Sequence, residues 1–356
     1  MQINGEEEDP AGDPIRWMTD NLELRETTSS DFIFDHAESQ SGRSLPVVYV
    51  PFEATNRGHF ADRGQILDFA VHAGGAREPS SRSARVLDFG PGDGWPALLM
   101  APMVREVVGV EGCKRRAAVC TENAERLGID NARFICVRPG QSLPFEDAEF
   151  DAVVAASSLE QTPDPKAALG ELYRVLRPQG RLRMHYESLS FYRGGREQEV
   201  WVACVDESQT RLIVFDRHVE KEYVRTFGLA LDMPRQDVEG VFGGHGLRPS
   251  FAGLTEEVLQ ELTRHCVDAG RWVTQHPSCR TWLAWMREIG FVSARATYDG
   301  GWFAKRLFDR LGPSEIPKDV EGVDKYLLPL VETVITMQAP QTAAPGEWEH
   351  WISATK

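Results

Sequence analysis

The run Val86-Leu87-Asp88-Phe89-Gly90-Pro91-Gly92-Asp93-Gly94 restricts the folds open to this chain more than any other stretch. A short apolar strand, Arg85–Phe89, empties into a turn that alternates glycine with other residues. Glycine closes a tight strand-to-helix turn and lets backbone approach a ligand. In an open α/β sheet such turns lie at the carboxyl ends of the strands, where ligands bind. The residues that follow extend the pattern. Pro96–Met103 reads as a helix, Glu106–Val110 as a second strand, and Lys114–Leu127 as a helix with Ala117, Cys120, Ala124 and Leu127 along one stripe. Arg133–Val137 and Phe150–Ala155 read as the third and fourth strands. Asp164-Pro165 supplies an N-cap with proline at the first helical position. That helix carries Ala168, Leu169, Leu172 and Leu176 on one face and stops before Pro178, and Arg181–Tyr186 is a fifth strand. Strands separated by helices of this length specify crossover connections and a mainly parallel sheet.

The flanking segments read differently. Met1–Asp13 is acidic and lacks the basic and apolar regions of a secretory signal, so it reads as a disordered leader. Residues 14–84 form an N-terminal lid or cap segment, with an extended piece at Pro46–Pro51 and a helix over Arg63–Ala73 that Gly74-Gly75 ends. Beyond Gly194, the runs Glu199–Val205, Arg211–Asp216 and Tyr223–Leu231 predict an antiparallel meander. A glycine-rich break at Gly240–Gly246 precedes helices over Leu254–Ala269 and Cys279–Glu288. Phe291–Thr297 reads as a strand, Trp302–Leu311 as a helix, and Leu328–Met337 as a last apolar run before a proline-rich tail from 341. Residues 191–278 are thus an insertion, a candidate substrate cap or homodimer interface, and 279–340 close the core.

Composition narrows the partners. A formal charge of −15 disfavours a phosphate-tracking surface and fits a small-molecule substrate better than nucleic acid. No apolar run approaches the length of a membrane span. The six cysteines are scattered without a CxxC pair, which fits reduced, structural thiols in a cytoplasm. Cys113, Cys120 and Cys136 raise a metalloid reading, but their spacing does not converge them on one site, and no metal is expected.

A dinucleotide site wants G-x-G-x-x-G, its third glycine packing helix on strand. Here the third glycine comes one residue early, at Gly94, and Trp95 takes its place, which disfavours a nicotinamide cofactor. Glu111 follows the second strand, where an acid accepts hydrogen bonds from both hydroxyls of a ribose; a solvated strand-end carboxylate is the alternative. At this point VLDFGPGDG (Val86–Gly94), GVEG (Gly109–Gly112) and the continuous block Leu143–Leu182 resemble class I S-adenosylmethionine (SAM)-dependent methyltransferases. The group meant is methyltransferase type 11, which includes ubiquinone/menaquinone C-methyltransferase-like enzymes. The likeness covers Arg85 to about Ser188, with a looser return at Thr281–Thr297.

The resemblance implies a Rossmann-like, doubly wound, mainly parallel seven-stranded sheet with an antiparallel β plus helical insertion between the fifth strand and the closing strands. It also implies SAM as cofactor, S-adenosylhomocysteine as product, and direct in-line transfer to a small molecule. By position, Asp88, Gly90, Pro91, Gly92, Asp93 and Gly94 hold the amino-acid end of SAM, Glu111 the ribose, and Gly112 and Cys113 border the adenine. Gly140 and Gln141 stand beside Pro139, where many relatives place an adenine-reading Asp, and Ala156 and Ser157 lie beneath the cofactor. In the lid, His59 or Arg63 meets the SAM carboxylate and Phe60 the sulfonium; an ordinary helix start capped by Asp62 is the alternative. His185 is the candidate base, needed only if the acceptor loses a proton, against a structural strand-end histidine. Phe60, Glu160, Gln161 and Tyr186 are candidate substrate contacts. No Asn/Asp-Pro-Pro-Tyr/Phe element follows the fourth strand, which counts against nucleobase or amide acceptors. A SAM-binding regulatory or scaffold protein and a nucleotide-cofactor oxidoreductase are the competing functions.

Overall fold

A computed structural model describes residues 12–34, 52–75, 82–192, 195–339 and 351–356. Its strands, numbered along the chain, are β1 (Arg25–Glu26), β2 (Arg85–Phe89), β3 (Glu106–Glu111), β4 (Ala132–Cys136), β5 (Phe150–Ala156), β6 (Leu176–His185), β7 (Arg196–Cys204), β8 (Thr210–His218), β9 (Tyr223–Leu231), β10 (Cys266–Gln275), β11 (Arg295–Thr297) and β12 (Trp351–Thr355). The helices are α1 (Pro14–Asn21), α2 (Arg57–His72), α3 (Ala97–Met100), α4 (Lys114–Leu127), α5 (Pro165–Val175), α6 (Arg235–Gly244), α7 (Glu256–Thr263), α8 (Cys279–Ile289), α9 (Gly300–Phe308) and α10 (Val320–Val334). The chain divides into two compact units, Met1–Gly42 with Gly194–Thr274, and Arg43–Arg193 with Gln275–Lys356.

The second unit is built on a seven-stranded sheet in the order β11-β12-β6-β5-β2-β3-β4. β2 through β6 run parallel, whereas β12 lies antiparallel between β6 and β11. Strands covered on both faces read as continuous apolar runs, and Val107–Val110 of β3 are buried without alternation. One face packs on Leu169, Leu172, Trp282 and Met286 from α5 and α8. The other packs on Phe60, Leu67, Phe69, Leu327 and Val331 from α2 and α10. Strand order reverses between β2 and β5, so their carboxyl ends flank a crevice, the usual ligand position in such sheets. The antiparallel β12 departs from the 3-2-1-4-5-6 order of dinucleotide-binding sheets.

A buried ion pair joins the sheet to its helices. Arg183 on β6 and Asp68 on α2 are both fully buried and bonded bidentately at 2.7 Å. The guanidinium also donates to Ser353 Oγ and the Tyr298 carbonyl, each at 2.9 Å, and to Thr297 Oγ1. All five N–H groups of an arginine are thereby used. Asp68 additionally accepts the Gly300 N–H at 2.7 Å, and the Trp351 ring lies 4.9 Å from the guanidinium carbon.

In the first unit the sheet order is β1-β10-β9-β8-β7. The meander β7-β8-β9 is antiparallel, as expected from the sequence. Side chains alternate between faces with the two-residue period of a strand: Leu212 and Val214 pack on Ile15, Val238 and Leu262, while Ile213 packs on Phe32 and Trp272.

Several sequence expectations are corrected. The run Leu328–Met337 belongs largely to α10, whose buried Val323, Leu327, Val331 and Val334 recur at helical spacing despite Pro329. The closing antiparallel strand is instead Trp351–Thr355, within what reads as a tail, because five residues carry too short a pattern to stand out. The helix expected to reach Ala269 ends at Thr263, and β10 follows; Leu259, Leu262, Cys266 and Ala269 keep helical spacing across that boundary. Gly240–Gly244 continue α6 rather than break it. The segment 14–84 divides, its first part joining the inserted sheet and its last part the core. Pro46–Pro51 lies outside the described residues.

Replacing Asp68 by alanine leaves the Arg183 charge buried without a counter-ion. Urea unfolding is expected to show a loss of about 3–5 kcal/mol, and an Asp68→Leu/Arg183→Met double variant to recover most of it.

Candidate functional site

The glycine turn leaves β2 with Gly90 at φ +77° and its N–H bonded to the Val110 carbonyl at 2.8 Å. A Cβ at Gly90 would lie 2.3 Å from Ser158 Cβ, so only glycine fits between β2 and the end of β5. Ser158 also donates its hydroxyl to the Phe89 carbonyl. Across the turn, Glu111 at the end of β3 is 5% exposed. Its Oε2 accepts the Gly92 N–H at 2.9 Å and its Oε1 the Cys113 N–H at 3.1 Å. Burial raises its carboxyl pKa, against the opposing field of Arg116 and these hydrogen bonds. Asp88 is fully buried; Oδ2 accepts the Ala97 N–H at 3.1 Å, and Oδ1 has no hydrogen-bond partner among the described residues. Burial pushes the Asp88 carboxyl well up, and the Glu111 charge adds to the effect.

Helix α4 braces the turn, a role the sequence reading missed. Cys120 Sγ donates to the Gly92 carbonyl at 3.2 Å, and Asn123 Nδ2 to the Asp93 carbonyl at 2.8 Å. Arg116 lies so close that a Cβ on Gly92 would stand 2.5 Å from its Nη2. These three residues sit at i, i+4 and i+7, one helical face; that polar stripe beside Ala117 and Ala124 is the signal that marks them. Cys120 is therefore a buried, hydrogen-bonded thiol whose pKa burial raises. No group of three metal-ligating side chains occurs among the described residues.

The carboxyl ends of β5 and β6 lie against each other. Ser157, at φ +49°, donates its N–H to the His185 carbonyl at 3.0 Å, and its Oγ is 2.9 Å from His185 Nδ1. Ala156 is half-buried at the last position of β5. Glu160 is fully buried; Oε1 accepts the Glu187 N–H at 2.8 Å, and Oε2 has no hydrogen-bond partner among the described residues. Its carboxyl is pushed from 4.5 to about 7, chiefly by burial. Gln161 is half-buried and ends a short 3-10 turn.

The structure thus brings Asp88, the Gly90–Gly94 turn, Glu111, Gly112, Cys113, Ser157 and His185 to neighbouring strand ends. Gly140 lies in an exposed turn at φ +85°, beside the exposed Gln141. Other candidates are engaged elsewhere. Phe60 is fully buried against Phe308, with ring centroids 5.4 Å apart, and Tyr186 packs edge-on to Trp282 in the core. Both rings are buried. Arg63 is held bidentately by Asp324 at 2.7 Å, and His59 Nδ1 accepts the Glu53 N–H at 3.1 Å. His59 and Arg63 help line a cavity of about 340 Å³ with Phe52, Leu98 and Leu99, and no residue of the glycine turn lines it. Asn56, not Asp62, caps this helix, which begins six residues earlier than expected, at Arg57.

The methyltransferase-domain family model matches residues 87–184. The uncharacterised methyltransferase YcgJ of Bacillus subtilis is 36% identical over 104 residues, 29% of this chain and 41% of the relative. The demethylmenaquinone methyltransferase of Thermus thermophilus is 40% identical over 100 residues, 28% of this chain and 44% of the relative. This chain therefore spans about two fifths of the length of these two relatives. The 27-O-demethylrifamycin SV methyltransferase of Amycolatopsis mediterranei is 33% identical over 193 residues, 52% of this chain and 68% of the relative. Among solved structures, the CcbJ methyltransferase of Streptomyces caelestis aligns over 88% of this chain and 99% of its own at 12% identity and a TM-score of 0.45.

Two outcomes follow from the geometry. Gly90→Ala introduces both a disfavoured φ and a clash with Ser158, and is expected to lower stability by about 1–3 kcal/mol in thermal or urea unfolding. Glu160 titrates near 4.5 when unfolded and about 7 when folded, so between these values the folded chain holds a proton the unfolded chain has lost. Its contribution to stability falls as pH rises through that window. Glu160→Gln is expected to remove this part of the pH dependence, measured by urea unfolding at about pH 5 and about pH 7.5.

Proposed function

The chain belongs to the class I SAM-dependent methyltransferase family, and from this premise we propose that it transfers the SAM methyl group to a small-molecule acceptor. The observation that carries the reading is the buried Asp88 carboxyl beside Glu111 at the carboxyl ends of β2 and β3, with Oδ1 lacking a hydrogen-bond partner among the described residues. A buried polar atom left over in this way calls for a ligand or water. The ammonium at the amino-acid end of SAM suits Asp88. Glu111 accepts the Gly92 and Cys113 N–H groups, and the Gly112 N–H also favours its charged form; a carboxylate offers about four acceptor positions, which leaves capacity for a ribose hydroxyl. The residues present therefore fit the cofactor.

SAM, when bound, supplies an electrophilic methyl carbon and a sulfur leaving group. What this chain contributes is placement and dryness. The Gly90–Gly94 backbone fixes one end of the cofactor, Glu111 the other, and the tight approach of Ser158 to Gly90 closes the floor between β2 and β5. Alignment of this kind, with water excluded, accounts for most of what a methyl transfer requires. A small acceptor accords with the net charge of −15 and with relatives named for acting on demethylmenaquinone and a rifamycin. The reversed strand β12 weighs against an oxidoreductase. Among the described residues no helix is long and apolar enough to cross a membrane, and we place the reaction in the cytoplasm.

Calorimetric titration tests the reading. SAM and S-adenosylhomocysteine are expected to bind the folded chain, and Glu111→Ala to weaken both about 10- to 100-fold with the melting curve retained. A folded chain that gives no binding heat with either compound overturns the proposal.

A further inference from the structure

Helix α2 presents a face that the cofactor reading does not employ. His59, Asp62, Arg63 and Ile66 stand at i, i+3, i+4 and i+7, so their side chains share one side of the helix. That side lines the cavity of about 340 Å³, whose other walls include Leu98 of α3, Leu127 of α4 and Val320 of α10. A volume of this order, walled mainly by aliphatic side chains with a few polar groups, is that of a small-molecule site. Among the described residues no part of the glycine turn lines it.

The polar groups set the chemistry. Arg63 is occupied, because Asp324 takes its Nε and Nη2 at 2.7 Å each. His59 Nδ1 accepts the Glu53 N–H at 3.1 Å, which places the proton of the neutral ring on Nε2. Asp62 differs from both. It is half-buried, and it has no hydrogen bond or ion pair among the described residues. Burial pushes its carboxyl pKa up, and a charge on His59 opposes this. An ionised carboxyl in such surroundings is stabilised by a cation that brings its own donors. With the arginine matched and one carboxyl unmatched, the cavity favours a cation over an anion. Phe52, its ring 6.1 Å from that of His59, adds an aromatic wall that suits the same charge.

We propose that this cavity is a second ligand site, separate from the glycine turn, for a small apolar amine. The ammonium pairs with Asp62, and the hydrocarbon part packs on Ile66, Leu98 and Leu127. The proposal does not rest on the methyltransferase reading.

Proton–nitrogen NMR of the full chain, titrated with cyclohexylmethylamine, tests it. Cyclohexylmethanol and cyclohexanecarboxylate serve as neutral and anionic probes of similar shape. The amine is expected to shift amide signals of α2 and α3, and to bind about tenfold or more tightly than either other probe. Asp62→Asn keeps the shape and removes the charge. It is expected to weaken the amine about tenfold while SAM affinity in calorimetry stays as in the wild type. Four outcomes each overturn the proposal: no saturable shift at α2, equal affinity for amine and alcohol, an amine affinity unmoved in Asp62→Asn, or a parallel loss of SAM affinity in that variant. The probe comparison on the wild-type chain decides the matter even where the variant fails to fold. A chain that binds the amine as expected but not SAM overturns the methyltransferase reading alone.

Discussion

Arg183 and Asp68 form the contact through which the core of the second unit is assembled. A charge buried on a central strand is tolerable only if its partners are complete, because removing ions from water costs more than one imperfect contact returns. Here the partners come from α2, from Thr297 and Tyr298 at the end of β11, from Ser353 on β12 and, through Asp68, from the first residue of α9. The pair therefore specifies which helix and which strands meet β6. It also places Asp299, the residue before α9, in the field of His185, two residues beyond Arg183.

Around that frame the site is held mainly by hydrogen bonds to backbone. Glu111 ties the amide of Gly92 to that of Cys113, joining the loops after β2 and β3. Cys120 and Asn123 fix the carbonyls of Gly92 and Asp93 from α4. A glycine turn alone is permissive, since glycine gains nothing from one conformation over another. These four contacts select one. The turn is rigid because an acid on the next strand and a stripe on the next helix are spent on holding it.

The sequence made the parallel core legible because each of its parts is local. The Gly90–Gly94 turn, the α4 stripe and the Asp164-Pro165 start of α5 carry their signals within a few residues, and α4 spans Lys114–Leu127 as expected. Errors gathered where a pattern ran across a boundary or was too short. Helical spacing through Cys266 and Ala269 hid β10, and the five residues of β12 gave no periodicity to read. Among site residues, those within the motifs came together. The lid residues did not, because Arg63 found Asp324 and Phe60 found Phe308, partners far along the chain.

The chain's residues by themselves determined the strand-to-helix turn and the acid after the second strand, since these are fixed by local backbone chemistry at one sheet edge, while the cofactor class came from the family resemblance that these motifs carry. Only the tertiary structure decided that Trp351–Thr355 completes the sheet, that α4 braces the turn, and that Glu160, His185 and Asp299 share one electrostatic environment. The physical reason is burial. A carboxyl or imidazole is an ordinary titrating group in the sequence, and its charge state is set by the neighbours that exclude water from it.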